Sequence, residues 1–259
     1  MIIDGKKIAE EIKDSLKKEI DASKKKLKLA IVQVGENEVS KKFIEQKQKF
    51  AEEIGVKTKI YNLPVDISTN KLRKKMAGIN KLNDGVIIQL PLPEQVNTQY
   101  ILNSIPAQKD VDVLSENRSK CLTPVVGAIK EIFERNKIDV RGKDIVVIGR
   151  GILVGRPAAI WLISQSATVS VLTSQTKNPE FYTRNADIII SGVGKPNLIT
   201  PDMVKDGVII LDAGTPGDVD PAVAGKASIF TPVPGGIGPL TVAMIFKNLL
   251  ELQKHQKSL

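Results

Sequence analysis

Asp144-Ile-Val-Val-Ile-Gly-Arg-Gly-Ile-Leu-Val-Gly-Arg-Pro157 opens with four consecutive β-branched residues and runs through three glycines into an apolar segment. β-Branched runs favour a strand, and the glycines mark a tight turn ahead of a helix. Gly149 turns the chain where a side chain would clash, Gly151 lets backbone approach a ligand, and Gly155 lets the helix pack against its strand. A pyrophosphate would then sit on the exposed N–H groups at the helix start. The spacing, G-x-G-x-x-x-G, is one residue longer than the usual dinucleotide fingerprint, and the same pattern also serves an ordinary strand-to-helix turn. Its weight depends on what surrounds it.

Strand and helix patterns alternate on both sides. Upstream, Ile8, Ile12, Leu16 and Ile20 keep a helical period that predicts a helix over 3–18, with Asp4 as a cap. Strands are predicted at 29–34, 57–63 and 85–90, the last stopped by Pro91 and Pro93, with helices at 38–54, 70–82 and 98–104. Lys109-Asp-Val-Asp-Val113 reads as a turn or strand edge, and a helix from Thr123-Pro124 to Arg135 leads into the second half. Downstream come a helix at 156–164, strands at 168–172, 186–191 and 207–212, and a closing helix at 242–253. The alternation describes an α/β protein with parallel sheets, the second half a Rossmann-type layer.

Composition narrows the chemistry. A chain of 259 residues, 42% hydrophobic and 26% charged, holds one large or two modest globular domains. No run approaches 18 apolar residues and no signal-peptide pattern opens the chain, so a cytoplasmic protein without a membrane span is expected. Single Cys121 excludes a disulfide framework and a cysteine-ligated metal, and single His255 is poorly placed for catalysis. Proton transfer must then use Lys, Asp, Glu, Tyr or water, and no metal is expected. Lysine and arginine exceed acidic residues by 38 to 29, a net charge of +9 that suits acidic partners. The lysines are spread along the chain and only 4% of residues are aromatic, too few for a base-stacking platform. Small anionic ligands therefore fit better than nucleic acid.

Thr231-Pro-Val-Pro-Gly-Gly-Ile-Gly-Pro-Leu-Thr241 holds three prolines and three glycines in eleven residues. Such a loop fixes an irregular backbone whose N–H groups can face a ligand, although Gly and Pro also punctuate plain connectors. Together with Gln89-Leu-Pro-Leu-Pro93, Lys109-Asp-Val-Asp112 and the segment from Gly149 to Pro157, it resembles the bifunctional methylenetetrahydrofolate dehydrogenase/cyclohydrolase family. The motifs occur in the family's order over nearly the whole chain.

The resemblance implies a catalytic, folate-binding domain over 1–121 plus 240–259, an NADP-binding Rossmann-type domain over 122–239, a cleft between them, and a homodimer. It implies NADP-dependent oxidation of 5,10-methylenetetrahydrofolate to the methenyl compound and hydrolysis of that product to 10-formyltetrahydrofolate. The family's Ser-x-x-Tyr-x-x-x-Lys pattern lies over Ser40, Phe43 and Lys47, which puts Lys47 in the place of the catalytic lysine. Gln89 matches the glutamine that pairs with it, beside Leu90, and Asp112 the aspartate that holds the pterin. Pro234, Gly235, Gly236 and Gly238 match the loop that contacts substrate, and Gly149, Arg150, Gly151, Gly155, Ser174 and Thr215 the cofactor site. Read alone, Lys47 is one solvated lysine among many, Phe43 a core residue and Asp112 a turn residue. The chain departs from the family at Phe43, where tyrosine is usual, at Val113 for glycine, Gly151 for serine and Leu240 for methionine. The loop after Asp212 is also short.

Preference for NADP has its own support. An NAD site places a carboxylate at the end of the second strand, about twenty residues past the glycines. Here that strand ends Leu172-Thr-Ser-Gln-Thr176 without one, leaving Arg150 and Ser174 to hold a 2′-phosphate. Three rivals remain: a family member that is mainly dehydrogenase with weak cyclohydrolase, a different two-domain Rossmann dehydrogenase acting on a small hydroxy or amino acid, and a non-catalytic basic nucleotide- or nucleic-acid-binding protein.

Overall fold

A computed structural model describes residues 1–117 and 119–255, without the side chains of Glu38, Val39 and His255. The expectation for the His255 side chain thus lies outside what is described. Contacts group Met1–Ala9 with Val125–Thr241, and Glu10–Pro124 with the segment from Val242 onward.

The unit built on Glu10–Pro124 has a parallel three-stranded sheet of β1 (Lys28–Val34), β2 (Lys57–Leu63) and β3 (Gly85–Ile88), in the order β2-β1-β3. Leu29, Ala30, Ile31 and Val32 are all fully buried in the central strand, as a parallel sheet covered on both faces requires. Helices α1 (Gly5–Ser23), α2 (Glu38–Glu53), α3 (Thr69–Leu82) and α4 (Thr98–Leu102) alternate with the strands. Asn37 caps α2 by accepting from Ser40 N, and Ser68 caps α3 by accepting from Lys71 N. α1 starts two residues later than its periodicity suggests and runs five further. β3 stops at Ile88, two residues short of the apolar run, because Pro91 has no N–H and restrains the residue before it. Gln89 N still donates to Val32 O at 2.9 Å, so Gln89 stands at the carboxyl edge of the sheet.

The other unit contains α5 (Pro124–Arg135), β4 (Asp144–Ile148), α6 (Gly155–Ser164), β5 (Thr168–Leu172), α7 (Pro179–Thr183), β6 (Ile188–Ser191), β7 (Ile209–Asp212) and β8 (Ile229–Thr231). Its sheet is wholly parallel in the order β5-β4-β6-β7-β8, so strand order reverses direction between β4 and β6. Val146, Leu172, Ile189, Ile210 and Phe230 form part of one apolar core. Neither α7 nor β8 was expected: α7 has five residues and no apolar period, and β8 is three residues hidden beside the proline-glycine loop. The closing helix α8 (Ile237–His255) begins five residues before its predicted start. Pro239 falls in its first turn, where a missing N–H costs nothing.

Candidate functional site

In the unit of Glu10–Pro124, α2 carries Ser40, Phe43 and Lys47 at helical spacing, and Gln89 and Leu90 follow directly on the end of β3. Lys47 Nζ donates to Gln89 Oε1 at 2.9 Å, and Gln89 Nε2 donates to Leu90 O at 3.1 Å. Ser40 Oγ reaches the same Leu90 carbonyl at 3.5 Å. Lys47 is only 8% exposed, and its burial lowers the amine's proton affinity, an effect that the charge of Asp112 opposes. Phe43 is half-buried and, four residues before Lys47, shares its helix face.

Asp112 is held there by the segment whose sequence reads as a turn or strand edge, and a parallel bridge between Asp110 and Val86 of β3 gives it that edge. Asp110, 1% exposed, accepts from Val113 N and Ser115 N at 2.8 Å each. Asn248 Nδ2 on α8 donates to Val111 O and Leu122 O, fastening the other side. Part of Asp112 stays exposed, but protein surrounds its carboxyl, and burial raises its pKa to about 6. Lys47 pulls that value down and Asp110 pushes it up. Amine, amide and carboxylic acid thus meet in one cluster, the amine holding its proton less tightly than usual and the acid more tightly. The repeated Asp-x-Asp after an apolar strand was the available signal for Asp110.

The glycine turn behaves as its sequence suggests. Gly149 has φ +94°, and a Cβ on Gly155 would lie 2.0 Å from Gly149 O, whereas one on Gly151 would meet open space. α6 starts at Gly155 without a side-chain cap, so no side chain competes for an anion there, although Arg156 N already donates to Gly151 O at 3.0 Å and Pro157 has no N–H. Ile148 pairs with Leu172, which puts Arg150 and Ser174, both exposed, two residues beyond a matched pair on adjoining strand ends. Thr215 is exposed in the turn after β7. These residues fit a dinucleotide. In the same unit, Gly5 N donates to Gly235 O at 2.9 Å, and a Cβ on Gly5 would strike Gly236 O. The proline-glycine loop is therefore seated directly on the start of α1, with Gly236 buried and Pro234 and Gly238 exposed.

The description of the tetrahydrofolate dehydrogenase/cyclohydrolase catalytic domain matches residues 3–112, and that of the same family's NAD(P)-binding domain matches residues 120–257. The chain belongs to the tetrahydrofolate dehydrogenase/cyclohydrolase family. The bifunctional protein FolD of Nautilia profundicola is 40% identical over 98% of this chain and 97% of its own length. Among solved structures, the family's bifunctional enzyme from Campylobacter jejuni superposes with a TM-score of 0.93 at 36% identity, covering 99% of both chains. The Trypanosoma brucei enzyme, complexed with NADP cofactor and inhibitor, gives 0.93 at 28% identity over 99% of this chain and 98% of that one.

Proposed function

We propose that this chain oxidises 5,10-methylenetetrahydrofolate with NADP and hydrolyses the methenyl product to 10-formyltetrahydrofolate. The observation that carries this is the buried Lys47 amine bonded to Gln89 beside Asp112, in a chain whose two halves both match the family. NADP, when bound, supplies the hydride acceptor. The carbon that loses hydride lies between two nitrogens whose lone pairs stabilise the resulting cation, so this step asks the chain mainly for positioning. The half-buried Phe43 offers an apolar wall, and the Asp112 carboxylate an acceptor for the pterin's N–H groups.

Hydrolysis asks for more. Water adds to the methenyl carbon and loses a proton, one carbon–nitrogen bond breaks, and the released ring nitrogen takes a proton. Lys47, with lowered proton affinity and its direction fixed by Gln89, is the group to carry that proton. Phe43 brings no hydroxyl to the helix face of Lys47, which favours a strong dehydrogenase with a weaker cyclohydrolase. The missing carboxylate after β5 supports NADP over NAD, with Arg150 and Ser174 binding the 2′-phosphate.

A homodimer is part of this reading. Ile160 and Ile163, 63% and 62% exposed on one face of α6, and Val171 on edge strand β5 supply apolar surface for a second copy. A monomeric mass at micromolar concentration would refute it. Among the described residues no helix is long and apolar enough to cross a membrane, and the unpaired Cys121 suits a reducing cytoplasm.

The test is purified protein with methylenetetrahydrofolate and either NADP or NAD, following cofactor reduction and methenyl absorbance together. Absence of folate-dependent NADP reduction, or equal use of NAD, would overturn the corresponding half of the proposal.

A further inference from the structure

Asp218 is fully buried and has no cation among its hydrogen-bond partners. Its Oδ2 accepts from Ser191 Oγ at 2.6 Å and from Val193 N at 2.8 Å, and its Oδ1 accepts from Lys195 N at 2.6 Å. All three donors belong to the end of β6 and the loop that follows it. A second buried carboxylate completes the arrangement from β7: Asp212 accepts from Gly214 N, Asp218 N and Val219 N at 2.8–3.0 Å. Two glycines leave room for this. A Cβ on Gly214 would fall 2.7 Å from the Asp218 carboxyl carbon, and one on Gly217 would fall 3.0 Å from Asp212 Oδ2.

Burying two carboxylates is costly, and backbone amides that point at them offset the cost only while both loops keep this shape. What the shape secures is the wall opposite the glycine turn. β6 lies beside β4 at the point where strand order reverses, which is where parallel sheets of this kind bind ligands. A Cβ on Gly149 would meet Val193 Cγ2 at 3.1 Å, and one on Gly192 would meet Val154 just ahead of α6. Thr215 O lies 3.0 Å from the Cβ position of Gly194, so the β7 loop rests on the β6 loop.

We infer that Asp218 is a positioning residue for the cofactor: its carboxylate locks residues 192–195 against the glycine turn and so sets NADP affinity without touching the ligand. The inference rests on the NADP-dependent reading above. It also separates the two activities, because hydrolysis of the methenyl compound needs no nicotinamide and its residues lie in the other unit.

The experiment compares wild type with Asp218→Asn, whose amide nitrogen cannot accept from the donors it would face. Calorimetric NADP titration should show dissociation weakened about tenfold or more, as expected when amides lose a buried charged acceptor. The NADP KM should rise in step. Amide exchange without cofactor should speed up at Val193 and Lys195, and methenyl hydrolysis without cofactor should stay within about twofold of wild type. Ser191→Ala, a milder change that keeps the carboxylate and two donors, should weaken NADP binding about three- to tenfold, with Ser191→Thr restoring it. Wild-type NADP affinity in both Asp218→Asn and Ser191→Ala overturns the inference. So does equal loss of hydrolysis and NADP binding in Ser191→Ala, which would mark a purely structural role even if Asp218→Asn fails to fold. A wild type that binds no NADP would instead refute the cofactor reading and this inference with it.

Discussion

Lys47 and Gln89 lie 42 residues apart in sequence, yet the amine donates to the amide oxygen at 2.9 Å, one from α2 and the other from the carboxyl edge of β3. The bond aims a partly desolvated amine while leaving it without a carboxylate in direct contact, so it can both give and take a proton. Replacing Lys47 with Met keeps the apolar stem and removes the nitrogen. Methenyl hydrolysis should fall by about a hundred- to ten-thousand-fold with the fold retained. Circular dichroism beside the methenyl absorbance assay checks this, and wild-type hydrolysis above the spontaneous rate would remove Lys47 from the mechanism.

Phe43→Tyr restores a hydroxyl one helical turn from Lys47. Hydrolysis should rise relative to hydride transfer by about three- to tenfold, the range one new hydrogen bond supports. Both rates should be taken on one folate preparation. If wild-type hydrolysis already keeps pace with oxidation and the mutant moves neither rate, the hydroxyl is dispensable here.

Asp112 makes a prediction about pH with a definite sign. Its folded pKa of about 6 stands above the ordinary aspartate value, so the native state holds this proton more tightly than the unfolded chain. The stabilisation this gives is complete below the unfolded pKa and is lost as pH rises through about 6. The difference in unfolding free energy between wild type and Asp112→Asn should therefore shift against wild type between about pH 4 and 6, then level off. Activity should move the opposite way, falling as pH drops below about 6, if the ionised carboxylate holds the substrate. An activity profile in Asp112→Asn with the same acid limb would assign that limb to another group.

The glycine turn separates sterics from ligand contact. Gly155→Ala places a methyl 2.0 Å from Gly149 O, so the turn must open and NADP binding should be abolished, with about 2–4 kcal/mol lost in stability. Gly151→Ala adds a methyl to open space and should leave thermal stability unchanged while weakening NADP binding, because only a ligand would meet it. Urea denaturation with NADP titration tests the pair, and equal effects on stability would refute the distinction.

Val113 sits at φ +55°, a left-handed conformation that β-branched residues rarely adopt. Strain of this kind costs about 1–3 kcal/mol, and glycine gives back about 0.4–1 kcal/mol through its freer unfolded chain. Val113→Gly should therefore stabilise the protein by about 1 kcal/mol, raising Tm by a few degrees. A lower Tm would mean that packing of the valine outweighs its backbone strain.

Much of this was readable from local pattern. The extents of β2 and β5 matched their predicted spans, and the glycine turn took the form its spacing implied, because strand propensity and glycine geometry are properties of adjacent residues. α7 and β8 were not readable, being too short to carry a period. Nor were the tasks of Asp110 and Asp218: Asp218 finds its partners 23 to 27 residues upstream, on a neighbouring strand, and nothing in Gly217-Asp218-Val219 announces them. Ser40, Phe43 and Lys47 stood out only through family resemblance, since a lysine's burial depends on what packs over its helix.

The order in which the chain visits its two units bears on how it is made. Segment 1–9 belongs with 125–241, and 10–124 with the residues after 241, so each unit needs a piece that a ribosome delivers late. Phe50 stacks on Phe246 at 5.0 Å, and Asn248 fastens the Asp112 loop, both through α8, which emerges after the strands it covers. The unit bearing Lys47 thus stays unfinished until the residues after 241 are made, its apolar surface awaiting cover. Cutting the gene at residue 124 would yield not an independent half-enzyme but a sheet lacking the helix that completes its core.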